Sequence, residues 1–249
     1  AAGPMIRALA HRGPDGIRTE ALPGAELAHA RLSIIDLDGG WQPLHAAGGV
    51  VVGNGEIYNY LEMARDHGLE GQLSTGSDFE PLLHLYAREG EAAFARLRGM
   101  YALCLIGPDG RAWLARDPFG IKPLYIMEHD GGLAFASEPR AFFAAGLMAR
   151  VLDDDAAREL LDLNYTLGER TVFQGLRRLA PGEVVEVRDG RIISGHRRSP
   201  VPPLMGRDSS PKASRVGDSG SSAGPGPDAP TLTASRSVPP HKGEGNLDD

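Results

Sequence analysis

Apolar residues follow two spacings along the first 195 residues, and these spacings predict a mixture of strands and helices. Alternating or continuous apolar runs predict strands, and apolar positions three or four residues apart predict helices. The predicted strands cover residues 27–35, 50–52, 100–106, 111–115, 124–127, 133–136, 183–187 and 191–193. The predicted helices cover residues 5–10, 60–67, 77–90, 91–97, 137–143 and 153–164.

Short turns containing glycine separate several of the predicted strands. Asp109-Gly110 and Asp189-Gly190 each lie between two strands and predict hairpins. The helices come in separate blocks, so the order predicts an α+β fold with two antiparallel sheets and helices outside them. The spacing of Ser77 and Glu80 predicts a capping box, which would place Asp78 in the first turn of a helix.

The stretch that follows the strand at Val50–Val52 has two interpretations. Gly53-Asn54-Gly55 is predicted to end that strand, and an Asn-Gly pair is typical of a tight turn. The same residues would also offer the Asn54 side-chain amide and the Gly55 N–H side by side at a strand end. Two such donors are what an acyl-transfer site needs to hold a developing oxyanion. These residues alone leave both interpretations open.

Composition and charge narrow the class of protein. The chain of 249 residues has 41% hydrophobic and 24% charged residues, which is typical of a soluble globular protein. Its net charge of −7 argues against a nucleic acid or an anionic membrane as partner. No apolar run approaches the ~18 residues of a membrane span. A single cysteine, Cys104, excludes an intrachain disulfide framework and favours a cytoplasmic location.

The composition changes abruptly near residue 199. Beyond it the chain is rich in Pro, Ser and Gly, with few large apolar residues. Such a segment buries too little apolar surface to offset the entropy lost on ordering. We therefore expect a folded domain over residues 1–198 and a disordered tail over 199–249. The abruptness of the change suggests a frameshift or a truncated gene.

Two charged residues are candidates for recognising a free amino acid. Such a ligand presents a carboxylate and an ammonium group, so its site needs one planar cation and at least one carboxylate, both rigidly mounted. Arg31 on a predicted strand and Asp78 at a predicted helix start fit these roles. The alternative is that Arg31 pairs with a nearby acid and that Asp78 only complements a helix dipole.

Other reactive side chains have simpler explanations. His11 and Arg12 precede a loop with the sequence G-P-D-G, where they are typical of a structural anchor. Cys104 lies among aliphatic residues on a predicted strand, so we expect a buried thiol with a raised pKa that serves only packing. The eight histidines show no metal-ligand spacing, and no metal site is expected.

Eight motifs occur in an order that resembles a known family. They are H-R-G-P-D-G (11–16), A-H-A-R-L-S-I-I-D-L (28–37), Q-P (42–43), N-G-E-I-Y-N (54–59), T-G-S-D-F-E (75–80), R-G-M-Y-A-L (98–103), R-D-P-F-G-I-K-P-L-Y (116–125) and A-S-E-P-R-A-F (136–142). Together they resemble the glutaminase domain of glutamine-hydrolysing asparagine synthetase, a class II glutamine amidotransferase. The resemblance implies an N-terminal-nucleophile hydrolase-like fold, a four-layer αββα sandwich of two antiparallel sheets.

The resemblance also implies roles for particular residues. Arg31 would hold the α-carboxylate of glutamine, and Asp78 would bind its α-ammonium group. Asn54 and Gly55 would form the oxyanion hole, and Glu56 would contact the substrate. The backbone from Leu32 to Ile35 would line the pocket, with Leu32, Ile34 and Ile35 as the remaining pocket residues.

Two departures from the family pattern bear on activity. The family's nucleophile is the N-terminal cysteine of the mature chain, whose α-amine acts as the base. Position 1 here is Ala1, so we expect a domain that lacks its first strand, is less stable than the intact domain, and does not hydrolyse glutamine. The synthetase domain, which would use ATP and Mg²⁺, is also missing, and no cofactor is expected in this chain.

The resemblance implies partners that belong to the parent enzyme. Glutamine would be the small-molecule ligand, and the synthetase domain would normally follow in the same chain, in a homodimeric parent. That parent would pass ammonia from glutamine to an activated aspartate and form asparagine. Because the pocket residues are present without the nucleophile, a non-catalytic glutamine-binding or interaction module is the alternative.

Overall fold

The computed structural model describes residues 1–129 and 132–198. Its strands are β1 (Gly16–Leu22), β2 (Ala25–Arg31), β3 (Leu44–Ala46), β4 (Gly49–Ile57), β5 (Gly99–Ile106), β6 (Ala112–Arg116), β7 (Tyr125–His129), β8 (Gly132–Ala136), β9 (Arg177–Arg178), β10 (Glu183–Arg188) and β11 (Arg191–Arg197). Its α-helices are α1 (Ala2–Ala8), α2 (Tyr60–Asp66), α3 (Glu80–Glu89), α4 (Arg140–Ala144) and α5 (Asp154–Leu163), with 3₁₀ segments at Ala10–Arg12 and Gly90–Arg96. The disordered tail predicted over 199–249 lies outside the described residues.

The largest sheet contains six antiparallel strands in the order β11-β10-β6-β5-β4-β3. Apolar side chains pack on both of its faces, since alternate residues of its strands point to opposite sides. Val51 and Ile57 of β4 pack in a core with α2 and α3, whereas Val50 and Val52 pack in a second core on the other face. The strand β4 is therefore fixed from both sides.

Two smaller antiparallel sheets, β1-β2 and β8-β7-β9, form the layer opposite the large sheet. Leu27 of β2 and Ile126 of β7 share the second core with Val52 of β4. On the outer side of these small sheets, Met5 of α1 and Phe142 of α4 lie in a third core. The predicted αββα layering is confirmed, although the second sheet layer consists of two separately hydrogen-bonded sheets.

The predicted strand ends near the candidate oxyanion donors were wrong. β2 stops at Arg31 and does not reach Ile35, and β4 does not end at Gly53 but runs to Ile57. The continuous ladder with β5 keeps β4 extended. Gly55 permits this because its φ is +147° and a Cβ there would lie 2.0 Å from the Met100 carbonyl oxygen.

The predicted capping box is also wrong. Helix α3 begins at Glu80, without a side-chain cap, and Asp78 lies before the helix rather than in its first turn. The buried Glu80 carboxylate accepts hydrogen bonds from the backbone and hydroxyl groups of Ser74 and Thr75, at 2.5–2.8 Å. Each carboxylate oxygen of Glu80 accepts two of these four hydrogen bonds, which fix the loop that leads to Asp78.

Candidate functional site

The outer edge of β4 offers a row of backbone N–H groups. Beyond β3, side chains rather than a strand take up this edge. The Gly53 N–H donates to Oε1 of Gln42 at 2.5 Å, and the Ile57 N–H donates to Oδ2 of Asp78 at 2.6 Å. Because alternate residues of a strand direct their N–H groups to the same edge, the Gly55 N–H points there too, between the other two.

Asn54 and Glu56 lie on the face of β4 that also carries Val50 and Val52, and this face looks toward the small sheets. Nδ2 of Asn54 is buried and has no hydrogen-bond partner among the described residues. A buried donor without a partner costs about 1–3 kcal/mol. Such a donor is expected where a ligand supplies the acceptor, and here the Gly55 N–H is its neighbour.

Arg31, at the end of β2, is a buried cation with only 3% of its surface exposed. Its Nη2 donates to the Asp36 carbonyl at 2.5 Å, and its guanidinium lies 4.8 Å from the Trp41 ring centroid. Its Nη1 is buried without a partner, and none of the ion pairs in the described part of the chain involves it. The alternative prediction, Arg31 paired with a nearby acid, is therefore wrong.

Asp36 joins the loop after β2 to the loop that carries Asp78. Its carbonyl accepts from Arg31, its Oδ1 accepts from the Gly39 N–H at 3.0 Å, and its Oδ2 accepts from the Gly76 N–H at 2.8 Å. Asp36 has a φ of 50°, which aspartate tolerates better than most residues. This role was not predicted, because an Asp in a turn gives no sign of its partners in the sequence.

Asp78 and Glu56 form the acidic end of the site. Asp78 is 5% exposed, and burial raises its pKa to about 6. The hydrogen bond from the Ile57 N–H opposes this rise, and the neighbouring Glu56 carboxylate adds to it. Two neighbouring carboxylates attract a cation, because an added positive charge relieves their mutual repulsion.

A series of contacts connects the predicted site residues. Arg31 contacts Asp36, Asp36 contacts Gly76 two residues before Asp78, and Asp78 contacts β4 beside Glu56. The site thus has a cationic end, an acidic end and, on β4, a pair of donors. This arrangement suits an α-amino acid whose side chain ends in a carbonyl group, because two donors at that oxygen would stabilise an oxyanion.

The other predicted pocket residues lie in the segment that follows Arg31. Leu32 and Ile34 are 58% and 62% exposed, and Ile35 is half-buried. The Ser33 N–H donates to Oδ2 of Asp15 at 2.6 Å, which ties this segment to the loop after α1. The side chains of Leu32 and Ile34 therefore lie in solvent, whereas the backbone of this segment is held in place beside Arg31.

The structural roles predicted for His11, Arg12 and Cys104 are confirmed. Nε2 of His11 and Nη1 of Arg12 both lie 3.0 Å from Oε1 of Glu138, so they anchor the loop after α1. Cys104 is buried in the core between the sheets, and burial raises the pKa of its thiol to about 12. The described residues contain no metal-ligand cluster and no helix long and apolar enough to cross a membrane.

Comparisons with known proteins agree with this geometry. Residues 1–197 match the model of the glutamine amidotransferase domain family. The chain is 33% identical over 193 residues to "Asparagine synthetase [glutamine-hydrolyzing] 1" of Bacillus subtilis, and the match covers 76% of this chain and 30% of that protein. It is 42% identical over 141 residues to "Asparagine synthetase B [glutamine-hydrolyzing]" of Escherichia coli, covering 55% and 26%.

Another relative and a solved structure extend the comparison. "Amidase chry2" of Gibberella zeae is 35% identical over 186 residues, covering 72% of this chain and 27% of the relative. The chain therefore spans less than a third of the length of the curated relatives it matches. The solved glutamine phosphoribosylpyrophosphate amidotransferase of B. subtilis shares the fold, with a TM-score of 0.56 and 22% identity, over 78% of this chain and 45% of that one.

Proposed function

The chain belongs to the glutamine amidotransferase domain family, and from that premise we propose that it is the glutamine-binding part of a glutaminase domain. The parent would resemble the asparagine synthetases and use the released ammonia for the ATP-dependent amidation of aspartate. The remaining two thirds or more of such a parent would carry that second reaction. For this chain we propose only the binding of glutamine.

A pair of buried, unpartnered donors is the observation that carries the proposal. Nη1 of Arg31 and Nδ2 of Asn54 are both buried without an acceptor among the described residues. Glutamine would satisfy both: its α-carboxylate would accept from Arg31, and its carboxamide oxygen would accept from Asn54 and the Gly55 N–H. Its α-ammonium group would then meet Asp78 and Glu56.

The chemistry supported by these residues is orientation and charge stabilisation. Attack on the carboxamide carbon turns its oxygen into an oxyanion, and the two donors on β4 would hold that charge. Removing one such donor typically costs about 3 kcal/mol of transition-state stabilisation. The nucleophile is a separate requirement, which the resemblance assigns to an N-terminal cysteine and which Cys104, buried in the core, does not meet.

The burial of Cys104 also favours the second candidate, a glutamine-binding module without catalysis. A thiol whose pKa is about 12 is protonated at neutral pH and is a poor nucleophile. Release of ammonia from glutamine by the purified chain would contradict this second candidate. Binding without ammonia release would agree with it.

Isothermal titration calorimetry of L-glutamine into the purified chain tests the proposed binding. The matched variant is Asp78→Asn, which keeps an oxygen to accept from the Ile57 N–H but removes the charge. We expect saturable binding that is about ten- to a hundredfold weaker in the variant, because a hydrogen bond to a charged group contributes about 1.5–3 kcal/mol. A folded chain that binds no glutamine would overturn the proposal.

A further inference from the structure

Three of the four buried side-chain polar atoms that lack a hydrogen-bond partner in the described residues lie on the facing strands β2 and β4. They are Nδ1 of His29, Nη1 of Arg31 and Nδ2 of Asn54, whereas the fourth, Nε2 of His84, lies on α3. The proposed function uses Arg31 and Asn54 and leaves His29 without a role. Because each such atom is costly to bury unpaired, the third member of the group calls for a partner as well.

His29 lies near Arg31, on the face of β2 that looks toward β4. It is two residues before Arg31, on the same face of β2, and Leu27 on that face packs in the core between the sheets. Its imidazole lies close enough to the backbone of Gly53, the residue next to Asn54, for that backbone to raise its pKa. The ring therefore reaches from the carboxylate-binding arginine toward the oxyanion donors.

The surroundings of His29 keep its imidazole neutral. Burial, with a smaller contribution from the charge of Arg31, lowers its pKa to about 4, and the nearby Gly53 backbone opposes this shift. The Gly53 N–H donates to Gln42, so the group of Gly53 that faces the ring is its carbonyl, an acceptor that favours an N–H on the ring. Since Nδ1 has no hydrogen-bond partner, we assign the proton to Nε2, beside this carbonyl, and in a neutral ring Nδ1 then carries a lone pair.

We propose that His29 is a specificity-determining residue, whose Nδ1 accepts a hydrogen bond from the carboxamide NH₂ of glutamine and so selects an amide over a carboxylate. A glutamate side chain offers only acceptor oxygens, which would face the Nδ1 lone pair without a proton between them. A site built to hydrogen-bond one group rejects the analogue that lacks it, because a buried atom is left unpaired. The inference rests on the proposed function.

Two variants of similar shape test the Nδ1 acceptor of His29 separately from the Nε2 side of its ring. His29→Asn can place a carbonyl oxygen at the position of Nδ1, and His29→Gln can place its amide nitrogen at the position of Nε2, with no acceptor at the position of Nδ1. The affinities of L-glutamine and L-glutamate are measured by calorimetry at pH 7.5 for the chain and both variants. The readout is the ratio of the two affinities, because a general loosening of the pocket weakens both ligands alike.

We expect the chain to favour glutamine, His29→Asn to keep the ratio within about threefold, and His29→Gln to lower it about tenfold, as for the loss of one hydrogen bond. An unchanged ratio in His29→Gln, in a chain that still binds glutamine, would overturn the role of His29 alone. A chain that binds neither ligand would overturn the proposed function together with it.

A measurement on the unaltered chain covers the case in which the variants fail to fold. In protein labelled with ¹⁵N at histidine, the Nδ1 resonance of His29 reports its hydrogen bonding directly. Saturating glutamine should shift this resonance in the direction of a hydrogen-bonded acceptor, whereas glutamate should not. Equal shifts with both ligands, or no shift with glutamine, would contradict the assignment.

Discussion

Arg31 and Asp78 are each buried in a way that would be unfavourable without a ligand. A guanidinium removed from water without a counterion loses several kcal/mol of solvation. Burial also disfavours the charged form of Asp78, so its carboxyl group holds its proton more tightly, with a pKa of about 6. A zwitterionic amino acid would relieve both at once, because its carboxylate complements Arg31 and its ammonium group complements Asp78.

The raised pKa of Asp78 predicts that glutamine binding depends on pH. The folded, ligand-free protein binds this proton more tightly than the unfolded chain does. The contribution of the proton to folding stability is therefore greatest in acid and is lost as the pH rises through 6. The ammonium group of glutamine needs the ionised form, so binding should weaken about tenfold between pH 7 and pH 5. Calorimetry at several pH values measures this. The Asp78→Asn variant should show a flat profile over the same range, and a slope equal to that of the unaltered chain would contradict the assignment.

Residue types at the site could be predicted from the sequence, but their contacts could not. A planar cation, a carboxylate and an Asn-Gly pair are recognisable because each has a known use with an amino-acid ligand. Asp36 and His29 were not assigned roles, because Asp36 acts through a glycine forty positions away and His29 through a strand whose neighbour was unknown. Long-range pairing of this kind is not encoded in local spacing.

Strand β4 carries most of the proposed oxyanion chemistry, and its central glycine is required by the neighbouring strand. A Cβ at Gly55 would lie 2.0 Å from the Met100 carbonyl oxygen and 2.7 Å from the Cα of Tyr101. These are backbone atoms in the paired strand, so neither can move away cheaply. The close approach also brings the Gly55 N–H into a position that no other residue type would occupy.

The variant Gly55→Ala should therefore lower the free energy of unfolding by about 3 kcal/mol or more. Urea denaturation followed by circular dichroism measures the loss. The control is Gly24→Ala, since Gly24 also has a positive φ, of 74°, but has open space around it. It should lose only about 1 kcal/mol, the cost of the backbone conformation alone. Equal losses in the two variants would show that crowding at Gly55 is unimportant.

Secondary structure was predictable where the signal was local. The hairpins at Asp109-Gly110 and Asp189-Gly190 were placed correctly, because the turn of a β-hairpin depends on residues adjacent in the sequence. The extension of β4 through Gly53 was missed, since it depends on the ladder with β5. The capping box failed because Glu80 found four donors in a loop that the spacing alone does not describe.

At the scale of the whole molecule, Cys104 lies in the core between the two sheet layers. A buried thiol with a pKa of about 12 should react with a thiol reagent only when these layers separate. If glutamine binds the closed form alone, a concentration of 100 times its Kd should slow the reaction about a hundredfold. Colourimetric labelling with and without glutamine measures this. A fast reaction in native buffer would contradict the packing assigned to the core.

Three backbone amides around the site donate to side chains, so their hydrogen exchange reports the opening of the pocket. The amides of Gly53, Ile57 and Gly76 donate to Gln42, Asp78 and Asp36 rather than to a neighbouring strand. Exchange of their hydrogens with solvent therefore depends on how long these side chains stay in place. The sheet can remain intact while these side chains move away, so the exchange of these three protons measures the free energy of opening the pocket separately from the global unfolding of the domain.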